Sequence, residues 1–250
     1  MVYSGDKTMI PNECIIVGGG KSIKNADLAQ LGACLKNKFT VLTNYAYKYF
    51  EGSFLVCIDQ NFYKSTDLKK NPDIYEELRQ LPLIIGVDDR IEAKDALPNT
   101  LRLRCNPTQY FRENAKEQSF FTGSLTGVFA ITIASYLMNY EGTIFLLGFD
   151  WTQRDVSPID IQQHDQNTTV ETHFYDIKHR GVGHVSYYEN HDPHNYFKSF
   201  QESKLNIYNV SLESNIETFD KIDYIEFYSL LSNEICDQEN LRNEVRSKLL

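Results

Sequence analysis

An α/β fold with a doubly wound, mainly parallel sheet is what this sequence predicts, on three observations. Short apolar runs recur, each ended by glycine or a polar residue, as strands covered on both faces are. Helical stretches alternate with these runs, the pattern of strand–helix–strand units. The chain has 250 residues, 42% of them hydrophobic and 24% charged, which is ordinary globular material able to bury a sizeable core.

The first strand is Glu13–Val17 (ECIIV), cut off by Gly18-Gly19-Gly20. A helix follows over 25–36, with Leu28, Leu31 and Leu35 on one face and Asn25 as its cap. Further strands are expected at 39–42, 54–58, 83–87 and 101–103, with a helix at 72–79 opening on Pro72, where a missing donor does no harm. Residues 126–140 (TGVFAITIASYLMNY) are apolar nearly all round and predict a buried helix, stopped by Glu141-Gly142. The next strand, 143–147 (TIFLL), ends in Gly148-Phe149-Asp150. Residues 151–195 break the rhythm: they are polar, rich in His, Asp, Gln and Tyr, and without helical period. So long an irregular stretch reads as a partly mobile lid or acceptor loop over the strand ends. A helix near 194–203, a strand at 205–210 and helices near 224–231 and 238–250 complete the chain. The expected organisation is one Rossmann-like nucleotide-binding domain over 1–250, with 151–195 as an insertion within it.

Composition excludes several classes. A net charge of −9 disfavours nucleic acid as a partner, because a duplex-binding face is basic. No apolar run has the length of a membrane span, and the opening MVYSGDKTMIPNE lacks the apolar stretch of a signal peptide. Cys14, Cys34, Cys57, Cys105 and Cys236 are scattered and form no CxxC, which predicts buried thiols in a reducing compartment, the cytoplasm.

Chemistry is expected first at the glycine turn. A strand running into Gly18-Gly19-Gly20-Lys21-Ser22 puts backbone donors at a helix start, where the dipole favours an anion such as phosphate. The phosphate-loop motif fails, with Ile15 where its first glycine belongs, and the dinucleotide fingerprint fails at Ile23. A tight turn without a ligand is therefore the competing reading. Asp150, at a strand end, is placed to accept from a ribose, a sugar hydroxyl or a base, or else to cap a loop. Asn44 and Asp59 each follow an apolar run. If the strands are parallel, these two, Gly18–Gly20 and Asp150 meet at one edge of the sheet. Five of the six histidines lie between His173 and His194. Metal ligation by His179, His191 and His194, a single general base, and a solvated loop all fit that cluster.

The segments IIVGGGKSI, VLTN-x-A-Y, LTGVFAITIASYLMNYEGTIFLLGFD, GVGH and LNIYNVSLES occur in this order between about residues 12 and 230. Together they resemble a superfamily shared by bacterial sialyltransferases of the Campylobacter lipooligosaccharide type, motility-associated flagellin glycosylation factors and archaeal-type 6-hydroxymethylpterin diphosphokinases. Bacteriophage proteins are similar too. The resemblance implies that Gly18, Gly19, Gly20 and Asn44 contact a nucleotide; Lys21 and Ser22, in the same turn, and Asp59, at the same sheet edge, complete the expected nucleotide site. It matches Thr126-Gly127 to a Ser/Thr-Gly element opening the buried helix, and Asp150 to a strand-end Asp. It also makes His184, in Gly183-His184, the catalytic base. Lys21 departs from the family's usual proline. The implied activity is sugar transfer from a nucleotide-activated, CMP-linked donor to a hydroxyl acceptor, needing no metal or cofactor. A Mg²⁺- and ATP-dependent diphosphokinase using Asp59, Asp150 and Asp192 is the alternative, and a non-catalytic nucleotide-binding or assembly protein the third. Expected partners are donor and acceptor, with a second copy of the chain as a further candidate; a phage-encoded protein would work in the host cytoplasm.

Overall fold

The apolar runs pair side by side and all in one direction. A computed structural model describes residues 10–59, 62, 72–87, 96–106, 119–123, 125–151, 194–201 and 203–250. Its strands are β1 (Glu13–Val17), β2 (Thr40–Thr43), β3 (Phe54–Val56), β4 (Ile84–Val87), β5 (Thr100–Leu103), β6 (Cys105–Asn106), β7 (Phe120–Phe121), β8 (Glu141–Leu147), β9 (Lys204–Asn209) and β10 (Asp220–Lys221). Eight of these form one sheet in the order β10-β9-β8-β1-β2-β3-β4-β5, and β6 pairs with β7 separately. Every pairing in the main sheet is parallel. The chain starts in the centre, steps outward through β5, then returns to the other side of β1 with β8. That reversal makes the fold a doubly wound, Rossmann-like α/β sheet, with its switch point between β1 and β8.

Parallel strands must be covered on both faces, and alternation along β1 shows how. Cys14 and Ile16 enter one apolar cluster with Val128, Phe129, Ile131 and Ile133. Ile15 and Val17 enter the other with Ile23, Leu31, Leu35 and Phe227. The helices supplying these covers are α1 (Leu28–Leu35), α2 (Pro72–Gln80), α3 (Thr126–Leu137), α4 (His194–Lys198), α5 (Tyr224–Leu230) and α6 (Gln238–Leu249). The wholly apolar α3 packs across β1, β2, β3 and β8 and buries nine residues. No helix among the described residues is long and apolar enough to cross a membrane.

Strand ends shift by one or two residues, and three helix boundaries differ by more from the sequence reading. Asn25 does not cap α1: it closes a 3₁₀ turn, Lys21–Asn25, and the helix starts after Asp27, whose carboxylate accepts from Ala29 N (2.9 Å) and Gln30 N (3.1 Å). A carboxylate two and three residues ahead of free N–H groups is the better cap. Helix α3 ends at Leu137, not at 140, because Asn139 and Tyr140 both turn left-handed (φ 55° and 62°), and Tyr140 N–H closes on Ser135 O (2.7 Å). Glu141 and Gly142 therefore open β8 rather than stop the helix. The helix near 194–203 is confined to α4, five residues.

Candidate functional site

The ends of β1 and β8 are stitched together. Gly18 N–H donates to Leu147 O (2.7 Å) and Gly20 N–H to Gly148 O (2.8 Å). The contact is too close for side chains. A Cβ on Gly20 would stand 2.5 Å from Asp150 Oδ2, and one on Gly148 2.7 Å from Ile23 Cδ1. The left-handed residue here is Gly148 (φ 68°); Gly19 is not among the residues with positive φ. Phe149 fills the other side of the seam: Cβ positions on Gly18 and Gly127 would lie 3.1 Å and 2.7 Å from its ring. The Thr126-Gly127 start of α3 is thereby held against the switch point, and its N-cap residue, Leu125, supplies no side-chain cap.

Asp150 is 6% exposed, and both its oxygens are engaged by one residue. Ser22 N–H donates to Oδ2 (2.8 Å), and Ser22 Oγ donates to Oδ1. The carboxylate thus sits at the start of the Lys21–Asn25 turn, where the sequence reading allows a phosphate. N–H groups at a helical start favour an anion, and in this structure the anion is Asp150. The donors of Gly18, Gly20 and Ser22 are consumed within the protein, while Lys21 is exposed. Asp150 therefore does cap a turn, the humbler of its two predicted roles, although a carboxylate oxygen has room for a second donor.

The strand-end turn at 149–151 has supports that the sequence reading did not identify. Phe149 O accepts from Asn209 Nδ2 (2.9 Å) and Ser214 Oγ (2.7 Å). Asn215 N–H donates to Asp150 O (2.8 Å), and Asn215 Nδ2 to Trp151 O (3.0 Å). One signal was present: Asn209 closes LNIYN much as Asn44 closes VLTN.

Asn44 lies one strand further along, at the end of β2. It is left-handed (φ 48°), and its Oδ1 is buried with no hydrogen-bond partner among the described residues. Thr43 Oγ1 donates to Val17 O (2.9 Å), tying this end to β1. Asp59 follows the end of β3 and is exposed. Burial, and then the Asp59 carboxylate, push the neighbouring Tyr45 phenol above its usual range. Gly18–Gly20, Asn44, Asp59 and Asp150 thus stand at the same edge of four adjacent parallel strands.

Tyr224, the first residue of α5, was also missed. Its hydroxyl is buried without a hydrogen-bond partner among the described residues. Burial, then Asp150, then Tyr228 hold its phenol well above the usual tyrosine range.

His184 lies outside the described residues, as do His179, His191, Asp192 and the expected lid apart from its two ends. His194 opens α4. Among the described residues no three His, Cys, Asp or Glu side chains are grouped to hold a metal ion. None of the five cysteines is in a disulfide, and Cys14 and Cys57 are buried. Comparison with protein-family models, curated proteins and solved structures returns no match.

Proposed function

We propose that this chain is a transferase that takes a sugar from a nucleotide-activated donor, CMP-linked by the resemblance of its motifs, and gives it to a hydroxyl acceptor. The observation carrying the reading is the switch point itself. Ligands of open α/β sheets collect where strand order reverses, and here the reversal has polar groups from β1, β2 and β8 on one edge. Asn44 adds a buried carbonyl oxygen that has no donor among the described residues and could accept from the amino group of a base.

In this reading Asn44 and Asp150 contact the nucleoside, and the uncapped start of α3 at Thr126-Gly127 faces the phosphate. The glycine turn serves mainly to bring β1 and β8 together, since its Gly18 and Gly20 donors are already used. The acceptor oxygen attacks the anomeric carbon as the bond from that carbon to the nucleotide phosphate breaks. His184 takes the acceptor's proton, and the nucleotide leaves with the bonding electrons.

A thermal-shift panel of CMP, UDP, GDP, ATP and their sugar conjugates tests the proposal. A ligand at a hundredfold its Kd should stabilise the protein by about 2.7 kcal/mol. The CMP series is expected to respond, and silence from every nucleotide would overturn the reading. His184→Ala should cut turnover by roughly two to four decades while leaving donor affinity nearly unchanged. Transfer should also survive EDTA. An activity abolished by EDTA and requiring ATP would favour diphosphate transfer with Asp59, Asp150 and Asp192 as Mg²⁺ ligands.

A further inference from the structure

We propose that Tyr224 is the second contact, together with Asp150, for a ligand diol, the ribose of a bound nucleotide; the inference rests on the nucleotide reading above. The placement of Tyr224 follows from the sheet. Strand β10 pairs with β9 through Lys221 opposite Asn209, the residue whose side chain holds Phe149 O. The chain then turns into α5 at the same edge, where Asp223 caps the helix by accepting from Glu226 N (2.8 Å). Tyr224 therefore starts a rigid first turn beside the 149–151 seam. Its ring is fixed edge-on to Phe227, with centroids 6.2 Å apart and planes at 89°.

Packing explains the ring and leaves the hydroxyl unexplained. A buried hydroxyl without a partner costs stability, and phenylalanine would fill the same space without that cost. The phenol stays protonated, because burial and the Asp150 charge both oppose its ionisation, so it keeps a proton to donate. Asp150 offers the complement. Ser22 uses one acceptor position on each oxygen, and a further one remains on each. A diol satisfies both residues, one hydroxyl donating to Asp150 and its neighbour accepting from Tyr224. A phosphate satisfies only the tyrosine and is repelled by the carboxylate. Tyr228, one turn later, also has a buried hydroxyl without a partner among the described residues, but its phenol is raised by burial and then by Cys34 and Asp27, with no contribution from Asp150. It serves as the control.

The test is isothermal titration of the 5′-monophosphates of the four ribonucleosides and of their 2′,3′-dideoxy counterparts. Wild-type protein, Tyr224→Phe and Tyr228→Phe are compared. The wild type should bind its preferred ribonucleotide at least tenfold more tightly than the dideoxy form. Tyr224→Phe should lose most of that preference with dideoxy affinity unchanged, and Tyr228→Phe should keep it. Without ligand, Tyr224→Phe should melt at or above the wild-type temperature, because the hydroxyl it removes has no partner. A lower melting temperature, or a preference that survives in Tyr224→Phe, overturns the proposal alone. Equal binding of both series by the wild type does the same. A wild type that binds no monophosphate of either series overturns the nucleotide reading and this inference with it.

Discussion

Gly20 and Gly148 show why a residue's type can be right for a reason the sequence does not display. Both lie in glycine-marked turns, yet the requirement at Gly20 comes from Asp150, 130 residues away in the chain. At Gly148 two demands coincide, a left-handed backbone and the approach of Ile23. Gly148→Ala should therefore lower stability by about 1–3 kcal/mol, read from urea unfolding at constant m-value. An unchanged midpoint would mean that the seam can open to admit a methyl group. Ser22 is the complementary case. Its sequence position advertised a phosphate contact, but its hydroxyl and its N–H both hold Asp150.

At the scale of elements, helix starts were the weakest part of the sequence reading and helix faces the strongest. Leu31 and Leu35 are buried in α1 as the period requires, whereas the cap was placed two residues early. Asn25 and Asp27 are both good capping residues, and the 3₁₀ turn that Asp150 anchors leaves only Asp27 in reach of the free N–H groups. Asp27→Ala should cost about 1 kcal/mol in chemical denaturation, and Asn25→Ala less than half as much. The reverse ranking would restore the earlier helix start. In α3 no face is spared, since every residue from Val128 to Ser135 is fully buried and Thr132 and Ser135 return their hydroxyls to carbonyls four residues back. A helix that is apolar all round has only one place to go, the middle of a covered sheet.

For the molecule as a whole, the sheet divides the core into two clusters with one buried thiol in each, Cys14 on the α3 face and Cys57 on the α1 face. Burial pushes both thiols well above their ordinary range. In the unfolded chain they ionise near pH 8.5, while in the folded protein they stay protonated. Stability from these groups is thus complete below that pH and falls as pH rises above it, by at most about 1.4 kcal/mol per pH unit for each thiol. Urea midpoints should decline between pH 8.5 and 10, and Cys57→Ala, though less stable at neutral pH, should decline less steeply. Identical slopes would show that this thiol does not resist ionisation in the fold.

The sequence by itself determined the fold class, the alternation of strands with covering helices, and the clustering of glycines and polar residues at strand ends. Periodicity and turn chemistry are local, so they can be read from neighbours in the chain. Only the tertiary structure decided which groups those residues spend their hydrogen bonds on. Read alone, the glycine turn leaves its donors for a phosphate; pairing of β1 with β8 assigns those of Gly18 and Gly20 to strand-end carbonyls, and that of Ser22 goes to Asp150. Among the described residues the tertiary structure leaves the Asn44 oxygen and the Tyr224 hydroxyl buried without partners. Satisfaction of a polar group depends on residues a hundred or more positions away, and no local pattern carries that information.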